Sequence, residues 1–205
     1  MARSDPDQTD ETCTFCWIAN GQDEETEILK KSKDLVCFRD IVPAAPHHYL
    51  VIPRQHITSC HALNSGHISL VKHMAEMGKA VLKDQGFTDT EDIRLGFHQP
   101  PYTSIDHLHL HVLAPASQIS EYHHYKFIQG TYRFLTDEYL TKCLKKVAPP
   151  VRGLESCFSC LSKQREEEVP DFKRREEANL SEKPEAEEAT QRGKSGVNKA
   201  AASLL

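Results

Sequence analysis

The chain has 205 residues, of which 39% are hydrophobic and 27% are charged, with a mean hydropathy of -0.55. A formal net charge of -5 argues against a nucleic-acid partner, and no apolar run approaches the roughly 20 residues that span a bilayer. Residues 1–12 are polar and acidic and lack the pattern of a secretion signal, so we expect a flexible N-terminus. We also expect a cytoplasmic and nuclear protein with no membrane partner.

Four strands and two helices are predicted along the chain. Short segments rich in apolar residues predict strands at 35–38, 48–52, 93–97 and 108–113. Hydrophobic residues at three- and four-residue steps predict a helix over 65–85 that ends at Gly86. A second helix is expected over 136–146, with Thr136 as its N-cap. The fold class is therefore α+β: a mainly antiparallel sheet of about five strands, one long helix and a C-terminal helix.

The composition changes after Val147. Pro149-Pro150 breaks any preceding helix. From 151 to 205, 21 of 55 residues are charged (10 basic and 11 acidic) and only two are aromatic, so this stretch cannot bury much apolar surface. The sequence predicts a folded domain over 13–146 and a disordered charged tail over 147–205.

Three histidines alternate with apolar residues in the last predicted strand. Second neighbours on a strand share one face at a spacing of roughly 6.6 Å, so His107, His109 and His111 share one face while Leu108, Leu110 and Val112 enter the core. Three imidazoles in a row can surround a phosphate, bind zinc or, as a neutral ring, attack phosphorus. The alternative is a row of solvated polar positions on a half-exposed strand.

This histidine pattern resembles the signature of the histidine triad family of nucleotide hydrolases and transferases. Residues 38–57, with the segment Pro-His-His-Tyr-Leu-Val-Ile-Pro, resemble the family's first half-site. Ser104 resembles the serine that precedes the triad in the phosphoramidase branch, and Cys13-Thr-Phe-Cys16 resembles a Cys-x-x-Cys found near the start of many members. The resemblance covers Cys13 to Pro115 and implies a histidine triad (HIT)-like fold.

The resemblance also implies a reaction. It predicts a nucleotide phosphoramidase that hydrolyses adenosine 5′-monophosphoramidates, and with them aminoacyl- or acyl-adenylates, through a nucleotidyl-histidine intermediate. The implied catalytic residues are the nucleophile His109, the phosphate-binding His111, and His107, His48 and Ser104, which orient the nucleophile, support the cluster and contact the phosphate or leaving group. A dinucleoside polyphosphate hydrolase and a nucleotide-binding adaptor with little turnover stay open as alternatives.

The nucleotide contacts follow from the same resemblance. Asp40 is expected to accept the two ribose hydroxyls, and His98 stands where relatives often carry Asn at the phosphate. The residues that resemble the apolar slot for the base are Phe15, Ile18, Phe38, Ile41 and Leu50, for which ordinary core packing is the alternative explanation. The implied partners are purine mononucleotide conjugates and a second copy of the chain in a homodimer.

No cofactor is expected to be required for catalysis. Cys13, Cys16, His48 and His107 together resemble the Cys₂His₂ zinc site of some family members, a set that suits tetrahedral zinc. The alternative is a pair of ordinary thiols. His56 is expected at the surface and His123 in a solvent-exposed loop, neither with an assigned role.

Overall fold

The computed structural model describes residues 10–146. The strands are β1 (Ile28–Lys31), β2 (Leu35–Arg39), β3 (His47–Pro53), β4 (Arg94–His98), β5 (Leu110–Ala114) and β6 (Phe134–Thr136). The helices are α1 (Thr14–Asn20), α2 (Ile68–Asp84), α3 (Glu121–His124) and α4 (Asp137–Lys146). No helix in this range is long and apolar enough to span a bilayer. Most of the predicted flexible N-terminus and all of the predicted tail lie outside the described residues.

The strands form a single sheet in the order β1-β2-β3-β5-β4-β6, and every neighbouring pair is antiparallel. The predicted α+β class with an antiparallel sheet is confirmed, with six strands where about five were expected. The strands that no sequence pattern had placed, β1 and β6, lie at the two edges and have only four and three residues. Segments this short form strands because of the neighbour they pair with rather than by intrinsic preference.

One face of the sheet is covered by the two longest helices. Apolar residues of α2 and α4 share a core with side chains from β2 to β6, including Leu110 and Val112. Gly78 lets α2 approach closely, because a Cβ at that position would lie 2.5 Å from a methyl carbon of Val112. This packing holds β5 against a rigid layer and leaves the opposite face for the histidines.

The long helix begins later than predicted. Residues Ser65–His67 form a 3-10 turn and α2 begins at Ile68. The side chain of Asn64 accepts from the backbone N–H of Gly66, while His67 Nδ1 accepts from the N–H of Asn64, so the cap tightens the first turn. At the other end Gly86 adopts a positive φ of 84°, as expected for the residue that ends the helix.

The smaller helix α1 covers part of the opposite face. Its residues Phe15, Cys16, Ile18 and Ala19 are buried in a second cluster with side chains of β2 and β3. A third cluster, which includes Phe127 and Phe134, lies under the segment that follows β5. The histidine face is therefore bordered by α1 on one side and by the chain after β5 on the other.

Candidate active site

The sheet register brings four histidines together on one face. Leu50 pairs with His111, and so does Gly96 on the other neighbouring strand. Side chains two residues away on each strand share that face, which places His48 and His98 beside His111. The ring of His111 lies 5.2 Å from His48, 4.7 Å from His98 and 5.0 Å from His109, measured between centroids.

Backbone groups determine which nitrogen of His48 and of His111 carries a proton. The N–H of Ala44 donates to Nδ1 of His48 over 3.0 Å, so the neutral ring of His48 carries its proton on Nε2. That Nε2 lies 2.9 Å from Nδ1 of His111 and donates to it. His111 is thereby left with its own proton on Nε2.

The Nε2–H of His111 has no hydrogen-bond partner within residues 10–146, although the atom is buried. Buried polar groups are nearly always paired in folded proteins. His111 lines a cavity of about 410 Å³ together with Ser104, Asp40 and His98. An unpaired donor in such a cavity can serve an anionic ligand such as a phosphate.

His109 has the opposite arrangement. Its Nδ1 lies 2.6 Å from the carbonyl oxygen of His107 and must donate to it, because a carbonyl only accepts. The lone pair is therefore on Nε2, which has no hydrogen-bond partner in the described part of the chain. A neutral imidazole with a free nitrogen lone pair can act as a nucleophile.

Burial keeps this cluster uncharged. It lowers the pKa of His48 to about 3 and that of His98 to about 4, because each charged ring would lose its solvation. The pKa of His109 is lowered and that of His111 lies well below its usual value for the same reason. At neutral pH these rings are therefore neutral, as a nucleophile and its fixed donors require.

Asp40 lies at the edge of the histidine cluster. Its carboxylate accepts from the N–H of Val42 over 2.8 Å and approaches Nε2 of His48 to 3.3 Å. Burial raises the pKa of this carboxyl. Since Asp40 lines the cavity, it can meet a ligand there, and its contact with a ribose stays a prediction.

The five residues predicted for the base do not form one surface. Phe15, Ile18, Phe38 and Leu50 are buried together in the cluster under α1, and the ring of Phe15 lies 5.4 Å from that of His109. Ile41, in contrast, is 95% exposed and lines the cavity. Four of the five therefore share the buried cluster whose Phe15 ring lies beside His109, and Ile41 lies at the exposed edge of the cavity.

Eight residues that line the cavity were not predicted from the sequence as site residues. They are Val42, Ala44, Tyr102, His123, Tyr125, Lys126, Phe127 and Arg133. His123, expected in a solvent-exposed loop, is half-buried. His123 lies in the short helix α3 and Lys126 in the turn that follows it, and the sequence carries no motif that marks these positions, because they depend on tertiary packing.

The predicted zinc ligands require a correction. Cys13, Cys16 and His107 come together, but their fourth neighbour is His56 and not His48. His48 lies on β3 beside Asp40 and His111, because strand alternation directs it to the phosphate side of the face. The chain after Pro53 turns back and brings His56 to within 5.1 Å of His107, ring centroid to ring centroid.

The geometry of this second cluster suits zinc. The Sγ atom of Cys16 lies 3.3 Å from Nδ1 of His56 and 3.6 Å from Nδ1 of His107, and Cys13 Sγ lies 3.4 Å from the latter. Tetrahedral zinc with ordinary Zn–S and Zn–N bonds separates such atoms by about 3.6 Å. Nε2 of His107 donates to the carbonyl of Pro53, which leaves Nδ1 as the ligand atom.

Comparisons with known proteins show which sequences this chain is similar to. A family model described as "Scavenger mRNA decapping enzyme C-term binding" matches residues 12–125. The protein named adenosine 5'-monophosphoramidase HINT3 from Danio rerio is 58% identical over 123 residues, which cover 60% of this chain and 77% of that protein. Its namesake from Xenopus tropicalis is 50% identical over 131 residues, covering 64% and 86%.

One solved structure bears on the expectation that no nucleic acid is bound. It is described as "Crystal structure of aprataxin ortholog Hnt3 in complex with DNA" and matches with a TM-score of 0.49 and 21% identity, covering 71% of this chain and 78% of that one. A likeness at this level assigns no ligand to this chain. The absence of a nucleic-acid partner stays a prediction.

Proposed function

The chain belongs to the histidine triad family, and from this premise we propose that it is an enzyme that hydrolyses adenosine 5′-monophosphoramidates. The observation that carries the proposal is the pairing of opposite tautomers: His109 offers a lone pair on Nε2 while His111, whose ring centroid is 5.0 Å away, offers a proton on Nε2. A nucleophile and an adjacent hydrogen-bond donor are what attack on a phosphorus atom needs. The relatives named for this activity support it.

In the first step, Nε2 of His109 forms a bond to the α-phosphorus and the bond from phosphorus to the leaving nitrogen breaks. The electron pair of that bond goes to the nitrogen, which takes a proton from a water molecule in the cavity. His111 donates its Nε2–H to a phosphate oxygen and stabilises the charge that develops there. Ser104, which lines the same cavity, can donate to a second oxygen or to the leaving group.

In the second step, the hydroxide left by that water bonds to phosphorus and the bond to His109 breaks. The nucleotidylated ring is a good leaving group, because its Nδ1 keeps the proton held by the carbonyl of His107 and the ring is therefore cationic until it departs. The products are the free amine and AMP, and one water is consumed. Aminoacyl- and acyl-adenylates fit the same bond changes at phosphorus, but the leaving carboxylate departs as an anion without taking a proton, and in the second step a water molecule bonds to phosphorus and releases its proton to solvent.

The second part of the proposal is a structural zinc ion. The ion would be held by Cys13, Cys16, His56 and His107. It would cross-link α1 to the start of residues 107–111, which carry the three alternating histidines and are called the triad segment below. Because the carbonyl of His107 orients His109, a ligand bond to His107 would steady the nucleophile. The ion takes no part in the reaction steps proposed above.

The test is turnover of an AMP amide by the chain and by its His109→Ala variant. We expect kcat to fall by at least about 1,000-fold, the scale on which loss of a nucleophile acts. His73→Asn, an exposed position on α2, is the matched control and should keep the original rate. Alkaline quenching during turnover of a labelled substrate should trap label on the parent chain. Normal turnover by His109→Ala would overturn the proposal.

A further inference from the structure

The chain that follows β5 brings two permanent cations to the cavity. Lys126 lies in a short turn whose neighbour Phe127 is buried against the histidines, with its ring centroid 5.4 Å from His111 and 5.1 Å from His98. Arg133 is fixed from the other side, because its carbonyl oxygen accepts from Nδ1 of His98 over 3.1 Å. Both cations are thus anchored through their own backbone segments to the reactive cluster.

Tyrosine rings in the cavity wall contact the charged groups of Lys126 and Arg133. The guanidinium of Arg133 lies 4.5 Å from the ring centroid of Tyr102, and the ammonium of Lys126 lies 5.9 Å from that of Tyr125. Cations over ring faces are attracted to them and lose part of their freedom. The wall therefore offers positive charge that is already placed before a ligand arrives.

The two sides of the histidine cluster differ in polarity. On the side of His109, the neighbours are apolar: Phe15 and, behind it, Phe38. On the side of His111 and His98, the cavity carries Lys126 and Arg133, and Asp40 is the one carboxylate among the described residues that line it. Because the histidines themselves are neutral, the permanent charges that described residues bring to this side of the cavity are those of Lys126, Arg133 and Asp40.

We propose that Lys126 and Arg133 form a subsite for the leaving group and that it selects leaving groups with a negative charge. The inference rests on the proposed function: the apolar side accommodates the base, Asp40 meets the ribose, the phosphorus lies between His109 and His111, and the departing group extends toward the cations. An anionic group there gains from a charge-assisted contact in a partly enclosed cavity. A carboxylate on a departing amino acid and a phosphate on a departing nucleotide share this chemistry.

The experiment compares two AMP amides that differ in one charge: the amide of β-alanine, with a free carboxylate, and that of its methyl ester. We expect the chain to hydrolyse the carboxylate form with a kcat/KM higher by roughly 3- to 10-fold, in line with a partly exposed charge pair. The preference should shrink as salt is added, because salt screens such contacts. Diadenosine triphosphate, which releases a phosphorylated product, serves as the phosphate arm.

Two charge reversals test the assignment. Lys126→Glu and Arg133→Glu should each lower kcat/KM for the charged amide more than kcat/KM for the methyl ester, and so cancel or invert the preference. Lys142→Glu, at an exposed position of α4 away from the cavity, is the matched control and should keep the preference. If the reversals lower kcat/KM for diadenosine triphosphate more than for the charged amide, phosphate is the anion that the subsite favours and the proposal stands.

Two results contradict the subsite and one contradicts the function beneath it. Equal kcat/KM for the two amides in the original chain overturns the subsite, and so does a preference that both reversals leave intact. Failure to hydrolyse either amide, with the chain folded, instead overturns the phosphoramidase function. The two failures are therefore distinguishable in the same set of measurements.

Discussion

Nε2 of His48 lies 2.9 Å from Nδ1 of His111 and donates its proton to it. The direction of this bond is set at the far side of His48, where the N–H of Ala44 occupies Nδ1. A single backbone amide thus decides that His111 presents a donor to the cavity. Second-sphere partners orient metal-bound histidines in the same way, without touching the metal themselves. Their loss lowers metal affinity or activity by about 10- to 100-fold.

The first prediction concerns the hydrogen bond from His48 to His111. His48→Leu should lower kcat for an AMP amide by about 10- to 100-fold, because His111 loses the donor that sets its tautomer. His48→Gln should recover much of the rate, since its amide nitrogen can still donate toward His111. Steady-state kinetics of the two variants, with circular dichroism to establish folding, make the comparison. Equal losses in both would show that His48 serves packing alone.

The second prediction concerns pH and stability. The pKa of His48 falls from 6.5 to about 3 on folding and that of His98 to about 4, so below pH 6.5 the unfolded chain takes up protons that the folded chain does not. Stability contributed by these rings is complete above pH 6.5 and is lost as the pH falls toward 4. Each ring contributes a slope of up to about 1.4 kcal/mol per pH unit.

Urea unfolding between pH 7 and pH 4.5 measures this slope. His48→Gln removes one of the rings whose pKa burial lowers and should reduce the number of protons taken up on unfolding by up to one. A slope in His48→Gln equal to that of the original chain would contradict the burial argument.

The third prediction separates the two histidine clusters. Purified protein should contain about one zinc per chain, and His56→Ala should lose it, because the Nδ1 of His56 is the fourth ligand atom in the cysteine cluster. His48→Gln should keep the metal, since His48 belongs to the other cluster. Metal analysis by plasma mass spectrometry decides this. Retention by His56→Ala with loss from His48→Gln would restore the ligand set that the sequence suggested.

Removal of the metal should affect the stability of the fold more directly than the rate of the reaction. A chelator should lower the midpoint of thermal unfolding, because the ion cross-links α1 to the triad segment. Cys16→Ser should show the same lower midpoint without chelator. An unchanged midpoint in both samples would mean that the four side chains pack without a metal.

The sequence pattern accounts for the histidine face but not for everything around it. Alternation alone put Leu108, Leu110 and Val112 in the core and the intervening histidines on the other face, because a strand has only two faces. The role of His56 depended on the turn after Pro53, which no local signal describes. The positions of Lys126 and Arg133 in the cavity wall depend in the same way on the path of the long connection between β5 and β6. Phe127 anchors that connection against His111. Motifs with a fixed spacing were predictable, and contacts across distant segments were not.

The last prediction tests how the edge strand β6 supports the site. Gly96 lies beneath Phe134, so that a Cβ would come within 2.5 Å of the carbonyl oxygen of Leu135 and 2.6 Å of the Phe134 ring. Gly96→Ala therefore forces β6 away from β4 and should reduce the free energy of unfolding by about 1–3 kcal/mol, the usual range for overpacking. His98, which pairs with Phe134 across the same two strands, should be displaced with it. Urea unfolding measures the loss of stability. The double variant Gly96→Ala/Phe134→Leu makes room for the methyl group. Adding Gly96→Ala to Phe134→Leu should therefore reduce the free energy of unfolding by less than adding Gly96→Ala to the original chain. Equal losses in the two backgrounds would place the strain elsewhere than at the Phe134 ring.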